Sequence, residues 1–179
     1  MKRVEIETKL NESRSELLAT FDGLSEEQLR RPLTTSDHDP SNSWSAHDHF
    51  AHLALVERDF EKMIRRQLAG HQNPVGLLVS DQGEARSREE IMALVNARTE
   101  AFLLVHHLDS LSEVVALTGD ARGATLRLLA ELSDAQLEER LEGAPWADGT
   151  AGGVLGPNAQ HGTVHWNWIT EAGQLKVAT

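Results

Sequence analysis

Apolar residues in this chain recur at the three- and four-residue spacing of α-helices, and almost no segment alternates as a strand requires. In the first segment of this kind, the apolar residues are Ile6, Leu10, Leu17, Leu18 and Phe21. This spacing predicts a helix from about Val4 to Asp22 that ends before Gly23. Aromatic residues are only 4% of the chain. We therefore predict an all-α protein in which helices pack on helices.

Capping signals place the next predicted helices. Residues 34–43 are polar and have no period, so they predict a loop. Ser43 or Ser45 can then cap a second helix that begins near Trp44 and runs to about Ala69. Ser87 and Glu90 form a capping-box pattern, which predicts a third helix over 87–108 or beyond.

The second half of the chain is less regular. Possible breaks at 109–110 and 118–120 leave open whether the region 87–132 is one kinked helix or two, with a further helical piece from about Asp120 to Leu132. A glycine-rich loop over 148–153 follows. Pro157 fits the first position of a last helix that runs to about Ala172.

Two segments of the chain resemble each other. The segments 24–31 and 132–140 both begin Leu-Ser and carry Gln-Leu at the same offset. Each is followed by a proline, then a tryptophan, then a histidine-bearing helix. The period exceeds 100 residues, so we predict a duplicated helix pair and not a solenoid.

Length and charge limit the function classes. The 179 residues predict one domain over 1–179, and a net charge of −11 without a basic cluster argues against nucleic-acid binding. The chain has no cysteine, which excludes disulfides, thiolate metal ligands and a cysteine nucleophile. No apolar run is long enough to predict a membrane span or a signal peptide, so we expect a cytoplasmic protein.

Three of the nine histidines lie on predicted core faces. His52 begins an apolar stripe on the second helix, while His161 and His165 share one face of the last. A buried imidazole either hydrogen-bonds as a neutral ring or binds a metal, and three from two matching helices favour a metal. The N-terminal end of the last helix is also expected to keep His161 neutral. Three nitrogen ligands leave a position open, as in catalytic zinc sites, and nickel or iron would also suit them.

Other polar residues are weaker candidates. His49 could replace His52 from a neighbouring face, whereas His38 and His47 are expected to face solvent. The residues between His161 and His165 include no glutamate, which argues against a zincin protease. Carboxylates that could accept from the ligand N–H groups are Asp48, Glu57 and Glu171.

These residues resemble a known family. The Trp44-Ser45-x6-His52-Leu53 helix start, the His161-x3-His165-Trp166 helix and the Leu-Ser-x-x-Gln-Leu repeats are similar to the DinB-like superfamily. This group includes YfiT-type metal enzymes and the N-terminal domain of mycothiol-dependent maleylpyruvate isomerase. The resemblance covers essentially the whole chain.

The resemblance implies a four-helix bundle with up-down-down-up topology. It also implies a divalent metal, zinc or nickel above all, held by His52, His161 and His165. Because 87–131 is longer than one bundle helix needs, we expect an extra helical segment before the last helix. Family activities include transfer and isomerisation with small thiols such as mycothiol, and dimerisation through an exposed bundle face is common in the family.

Two functions therefore stay open. In the first, a metal-activated water or small thiol cosubstrate acts on a small-molecule substrate, in a transferase, isomerase or hydrolase. In the second, the protein is a non-catalytic helical module for binding or stress response, and its histidines are structural. The sequence names no separate general base or other catalytic residue.

Overall fold

The computed structural model describes residues 2–35, 41, 43–144 and 148–173, except for the side chains of 159 and 171–173. Helices dominate this part of the chain, as the sequence predicts. The helices are α1 (Arg3–Asp22), α2 (Glu26–Arg30), α3 (Ala46–Leu68), α4 (Arg88–His106), α5 (Leu111–Glu131), α6 (Asp134–Glu138) and α7 (Ala151–Gly173). The strands are β1 (Pro32–Thr35) and β2 (Ser43–Ser45). Within the described ranges, no helix is both long and apolar enough to cross a membrane.

Four of the five long helices, α1, α3, α5 and α7, contribute to both apolar clusters of the core. α1 packs on α5 and α7, and α3 packs on the same two helices, whereas α4 packs on α3. One buried apolar cluster includes Leu10, Met63 and Leu128, and a second includes Phe50 and Val114. Both clusters include residues of α1, α3, α5 and α7, so these four helices enclose both of them.

A buried ion pair lies between the two apolar clusters along α3 and α5. The Arg122 guanidinium donates from Nε to Glu57 Oε1 and Oε2 at 2.9 and 3.0 Å, and Thr125 Oγ1 donates to Oε2 at 3.0 Å. Arg122 also donates to the carbonyl oxygen of Leu10 on α1. Both charged side chains are nearly inaccessible to solvent, so the pair joins three helices in a region of low dielectric.

The repeated sequence segments fold into the same element. α2 and α6 are both five residues long, and each begins with a capping box. Ser25 Oγ accepts from the Gln28 amide at 3.3 Å, and Ser133 Oγ accepts from the Gln136 amide at 3.2 Å. The internal similarity read from the sequence therefore corresponds to one structural motif used twice.

The region 87–132 forms two helices. The predicted capping box at Ser87 is confirmed, and α4 ends at His106. A second capping box, between Ser110 and Glu113, begins α5. The prediction of a separate helical piece from Asp120 was wrong, because α5 continues through Gly119. A Cβ at Gly119 would lie 3.0 Å from Arg14 Nη2, which is the far end of a flexible side chain, so a small shift of Arg14 would make room for it.

The last helix begins earlier than predicted. α7 starts at Ala151, so Pro157 lies inside the helix and not at its first position. Thr150 Oγ1 accepts from the Gly153 amide at 2.9 Å and caps the helix. A Cβ at Gly152 would lie 3.0 Å from the Leu137 carbonyl oxygen, so close packing against α6 favours glycine at this position. From the sequence alone, the same glycine suggests a loop.

A short β-hairpin replaces part of the predicted loop. β1 and β2 are antiparallel, and Thr34 pairs with Trp44. Residues 36–40 and 42, which include His38, lie outside the described residues. Strands of three and four residues are too short to show a period, which explains why the sequence predicts only a loop here.

Candidate metal centre

The start of α3 fixes two histidines on one side of the helix. Ser45 caps it, as predicted: its Oγ accepts from the Asp48 amide at 3.2 Å, and its own amide donates to Asp48 Oδ2 at 2.9 Å. This reciprocal box aligns the first turn. His49 and His52, three residues apart, then project from neighbouring positions on one face, and both are buried.

α7 supplies the other two rings. His161 and His165 are four residues apart, and their Nε2 atoms are 3.0 Å apart. His161 Nε2 lies 3.5 Å from His52 Nε2. One potential ligand atom from each of the three residues lies within 4.8 Å of the others. The structure thus brings together the three histidines that the sequence singles out.

The spacing of these nitrogens matches a metal site. Zn–N bonds of about 2.0–2.1 Å in a tetrahedron separate the ligand nitrogens by about 3.4 Å. The two Nε2–Nε2 distances, 3.0 and 3.5 Å, lie on either side of that value. Two of the three nitrogen pairs have this separation, and neutral imidazole nitrogens are suitable donors for a borderline-soft divalent cation.

Burial keeps the rings neutral. Desolvation, together with smaller repulsions from the neighbouring His161 and His49, lowers the pKa of His52 to about 3. Burial likewise lowers the pKa of His161 and, with repulsion from the adjacent rings, that of His165. A neutral imidazole has a nitrogen lone pair available for coordination.

The expectation that the helix N-terminus keeps His161 neutral was wrong in its cause. α7 begins at Ala151, so His161 lies well beyond the first turn, where the dipole effect fades. Burial is the physical reason for its lowered pKa.

His49 does not belong to the group of three but lies behind it. Its Nδ1 is 2.8 Å from His165 Nδ1, and its Nε2 is 2.7 Å from Thr34 Oγ1. If His165 uses Nε2 as a ligand atom, its Nδ1–H donates to His49 Nδ1. His49 must then carry its proton on Nε2 and donate to Thr34. These two hydrogen bonds fix the orientation and tautomer of His165. The sequence analysis missed this role of His49 because it depends on Thr34, which lies in the unpredicted hairpin.

The described carboxylates that could accept from the histidine N–H groups have other hydrogen-bond partners. Glu57 binds Arg122, and Asp48 belongs to the capping box of α3, so the expectation that they accept from the ligand rings was wrong. The side chain of Glu171 lies outside the described residues. His47 is not solvent-facing as predicted: it is 1% exposed, and its Nε2 lies 2.8 Å from the Asp109 carbonyl oxygen.

A cavity of about 500 Å³ opens onto the histidine cluster. This volume is in the range of small-molecule sites. The lining residues come from the hairpin, α3, α4 and α7: they are Thr34, Thr35, Trp44, His49, His52, Val95, Asn96, Thr99, Glu100, His161, His165 and Trp168. The Trp44 ring centroid lies 5.2 Å from those of both His49 and His52, so an indole forms the wall beside the cluster.

Comparison with known proteins identifies the family. Residues 9–169 match the sequence profile of the DinB superfamily, so the chain belongs to this superfamily, which confirms the resemblance drawn from its histidine helices. No curated protein matches the sequence. The crystal structure of an uncharacterised protein from Escherichia coli UTI89 is similar, with a TM-score of 0.70 and 14% sequence identity over 99% of this chain and 96% of that one. At this identity the likeness shows a shared fold alone.

Proposed function

We propose that the protein is a metal-dependent enzyme that binds a divalent cation, zinc or nickel, through His52, His161 and His165. The observation that carries the proposal is the convergence of three imidazoles, buried or half-buried and with lowered pKa values, at the wall of a cavity sized for a small molecule. A bound divalent cation would lower the pKa of a water or thiol toward neutrality and so supply a nucleophile. Because the chain has no cysteine, a thiol would come from a small cosubstrate.

The residues around the cluster support this role. His49 and Thr34 hold His165 by hydrogen bonds that leave its Nε2 directed at the other two rings. Trp44 and Trp168 shield the cluster and provide apolar surface for a substrate. These groups orient the ligands and limit the access of water, and the substrate enters from the cavity side.

We further propose that α1, α3, α5 and α7 are the four helices of an up-down-down-up bundle. The support is their mutual packing, in which α1 and α3 each contact both α5 and α7. In this arrangement α4 is the additional helical segment before the last helix. The ligands then come from α3 and α7, which are in contact.

Metal analysis tests the proposal. Protein purified without a histidine tag is expected to contain one divalent ion per chain by elemental analysis. His161→Ala is expected to lose the ion, because it removes one of three ligands. His71→Ala is the matched control, since His71 is exposed and far from the cluster in sequence, and it should keep the ion.

A chelator experiment separates the enzyme from a non-catalytic scaffold. A ligand at 100 times its dissociation constant stabilises a folded protein by about 2.7 kcal/mol, so chelation should lower the melting temperature measurably. A chain without a stoichiometric ion and with a melting temperature insensitive to chelator would contradict the proposal and favour structural histidines.

A further inference from the structure

A second, smaller cavity is lined by residues of α1, α3, α5 and α7. Its volume is about 10 Å³, which is enough for one water molecule or one small ion. The polar residues that line it are Arg14, Glu57, Thr118, Arg122 and Asn158, and the rest of the wall is mostly apolar. The cavity therefore brings charged groups together in a region where water screens them poorly.

The charges on the wall of this small cavity do not balance. Arg14 and Arg122 are two guanidinium groups, which stay protonated in proteins, whereas Glu57 is the single carboxylate. Glu57 already pairs with Arg122, from which it accepts Nη2 at 2.7 Å and Nε at 2.9 and 3.0 Å. Arg14 Nη2 donates to the Val115 carbonyl oxygen at 3.2 Å, but Arg14 forms no ion pair with any described carboxylate. The wall therefore carries one net positive charge.

The surroundings of Arg14 agree with this charge count. Burial and the repulsion from Arg122 lower the pKa of Arg14, and the opposing effect of Glu57 is smaller. A lowered guanidinium pKa means that its positive charge is incompletely compensated by its neighbours. A negative charge placed beside Arg14 would therefore be stabilising.

Asn158 adds an unsatisfied donor to the same cavity. Its side chain is buried, and Asn158 Nδ2 has no hydrogen-bond partner among the described residues. A buried amide N–H without a partner is destabilising, so native proteins usually provide an acceptor from the chain or from a bound species. A water molecule could accept from Asn158 but would leave the charge of Arg14 unbalanced. A monovalent anion would do both.

We infer that this cavity binds a single chloride ion between the Arg14 guanidinium and the side-chain amide of Asn158. The ion accepts hydrogen bonds from both groups and cancels the excess charge of the wall. The small volume suits a monatomic anion better than a polyatomic one such as sulfate. Because Arg14 lies on α1 and Asn158 on α7, the ion also holds these two helices together. This site is separate from the proposed metal centre and does not depend on it.

The dependence of the melting temperature on chloride tests the inference. The protein is first treated with a chelator, so that chloride has no metal ion to bind, and sodium gluconate keeps the ionic strength constant. Gluconate is too large for the cavity. At ten times its dissociation constant, chloride should raise the melting temperature by about 3–6 °C, and the rise should saturate. Equal melting temperatures in chloride and gluconate would overturn the inference.

Diffraction from crystals grown in sodium bromide locates the ion. Bromide has the same charge as chloride and scatters X-rays anomalously, so it marks a halide site directly. We expect an anomalous peak in contact with Arg14 and Asn158. A water molecule there, or anomalous peaks only at other places on the protein, would show that the cavity is not a halide site.

Asn158→Asp is the decisive variant, because it keeps the shape of the side chain and supplies the missing negative charge from the protein itself. It should abolish the chloride dependence. Arg14→Gln should do the same, since it removes the excess cation and leaves the pair of Glu57 and Arg122 intact. Asn167→Asp makes the same change as the first variant at an exposed position of α7 and should keep the full response to chloride.

The inference fails if Asn158→Asp or Arg14→Gln still responds to chloride as the wild type does, or if Asn167→Asp loses the response. The wild-type titration and the bromide map need no variant, so they decide the question even if a substitution at the buried site prevents folding.

Discussion

Replacement of Glu57 by glutamine should destabilise the protein strongly, although it only replaces one carboxylate oxygen by an amide nitrogen. The carboxylate accepts from Arg122 Nη2 at 2.7 Å in addition to the bonds from Nε and Thr125, and both charged side chains are 7% exposed. Removing one partner of a buried pair costs about 3–5 kcal/mol, because the other charge stays buried without compensation.

A second cation makes the upper part of this range the better expectation. Burial and the charge of Arg122 lower the pKa of Arg14, and Glu57 opposes this effect. In Glu57→Gln the two guanidinium groups would face each other without a carboxylate between them. For a chain of this length, about 3–5 kcal/mol corresponds to a fall of about 6–20 °C in melting temperature.

Urea unfolding followed by circular dichroism measures the effect. Glu61→Gln is the matched control: Glu61 lies on the same helix and pairs with Arg65, but that pair is solvent-exposed and should contribute less than about 1 kcal/mol. Arg122→Met alone should be as damaging as Glu57→Gln. The double variant should be less destabilised than the sum, with a coupling of about 2 kcal/mol or more. A cost below about 1 kcal/mol for Glu57→Gln, or strict additivity, would refute the reasoning.

Two further predictions concern the start of α3. Thr34→Val should weaken zinc binding about tenfold in a chelator competition, because His49 loses its acceptor and no longer fixes His165, while Thr34→Ser should retain wild-type affinity. Equal affinities for the Val and Ser variants would contradict the hydrogen-bond chain. Burial would raise the pKa of Asp48, but His47 and the hydrogen bonds from Ser45 outweigh it and hold that pKa at about 2. Asp48 therefore stabilises the fold by about 2 kcal/mol above pH 4, and this contribution is lost as the pH falls toward 2. The difference in unfolding free energy between wild type and Asp48→Ala should therefore narrow between pH 4 and pH 2. A constant difference over this range would refute the proposed contribution of Asp48.

The sequence predicts the three clustered histidines because their pattern is local. His161 and His165 are one helical turn apart, and His52 follows a recognisable cap at Ser45, so period and capping suffice to place them on core faces. The Ser45 cap of α3 and the capping box that begins α4 also lie within four residues, and both were predicted from the sequence.

Features that depend on distant contacts were missed. Pro157 and the glycines before it resemble a loop, yet packing of Gly152 against α6 and the Thr150 cap extend the helix through them. From its place on the second predicted helix, Glu57 could accept a hydrogen bond from a clustered histidine. In the structure it instead binds Arg122, which is 65 residues away in the sequence. The position of His49 behind His165 likewise depends on Thr34, whose strand is too short for the sequence to reveal.

The small hairpin forms hydrogen bonds to two parts of the cavity wall, at His49 and at Glu100. Thr34 and Trp44 are opposite each other on β1 and β2, and one bonds the histidine chain while the other bonds Glu100. Successive strand residues face opposite sides, so slippage of either strand by a single residue would turn its key side chain away from the pocket. A change in loop length between the strands is therefore tolerable only if it preserves this pairing, and an insertion within a strand would break the hydrogen bond of Thr34 to His49 and that of Trp44 to Glu100 together.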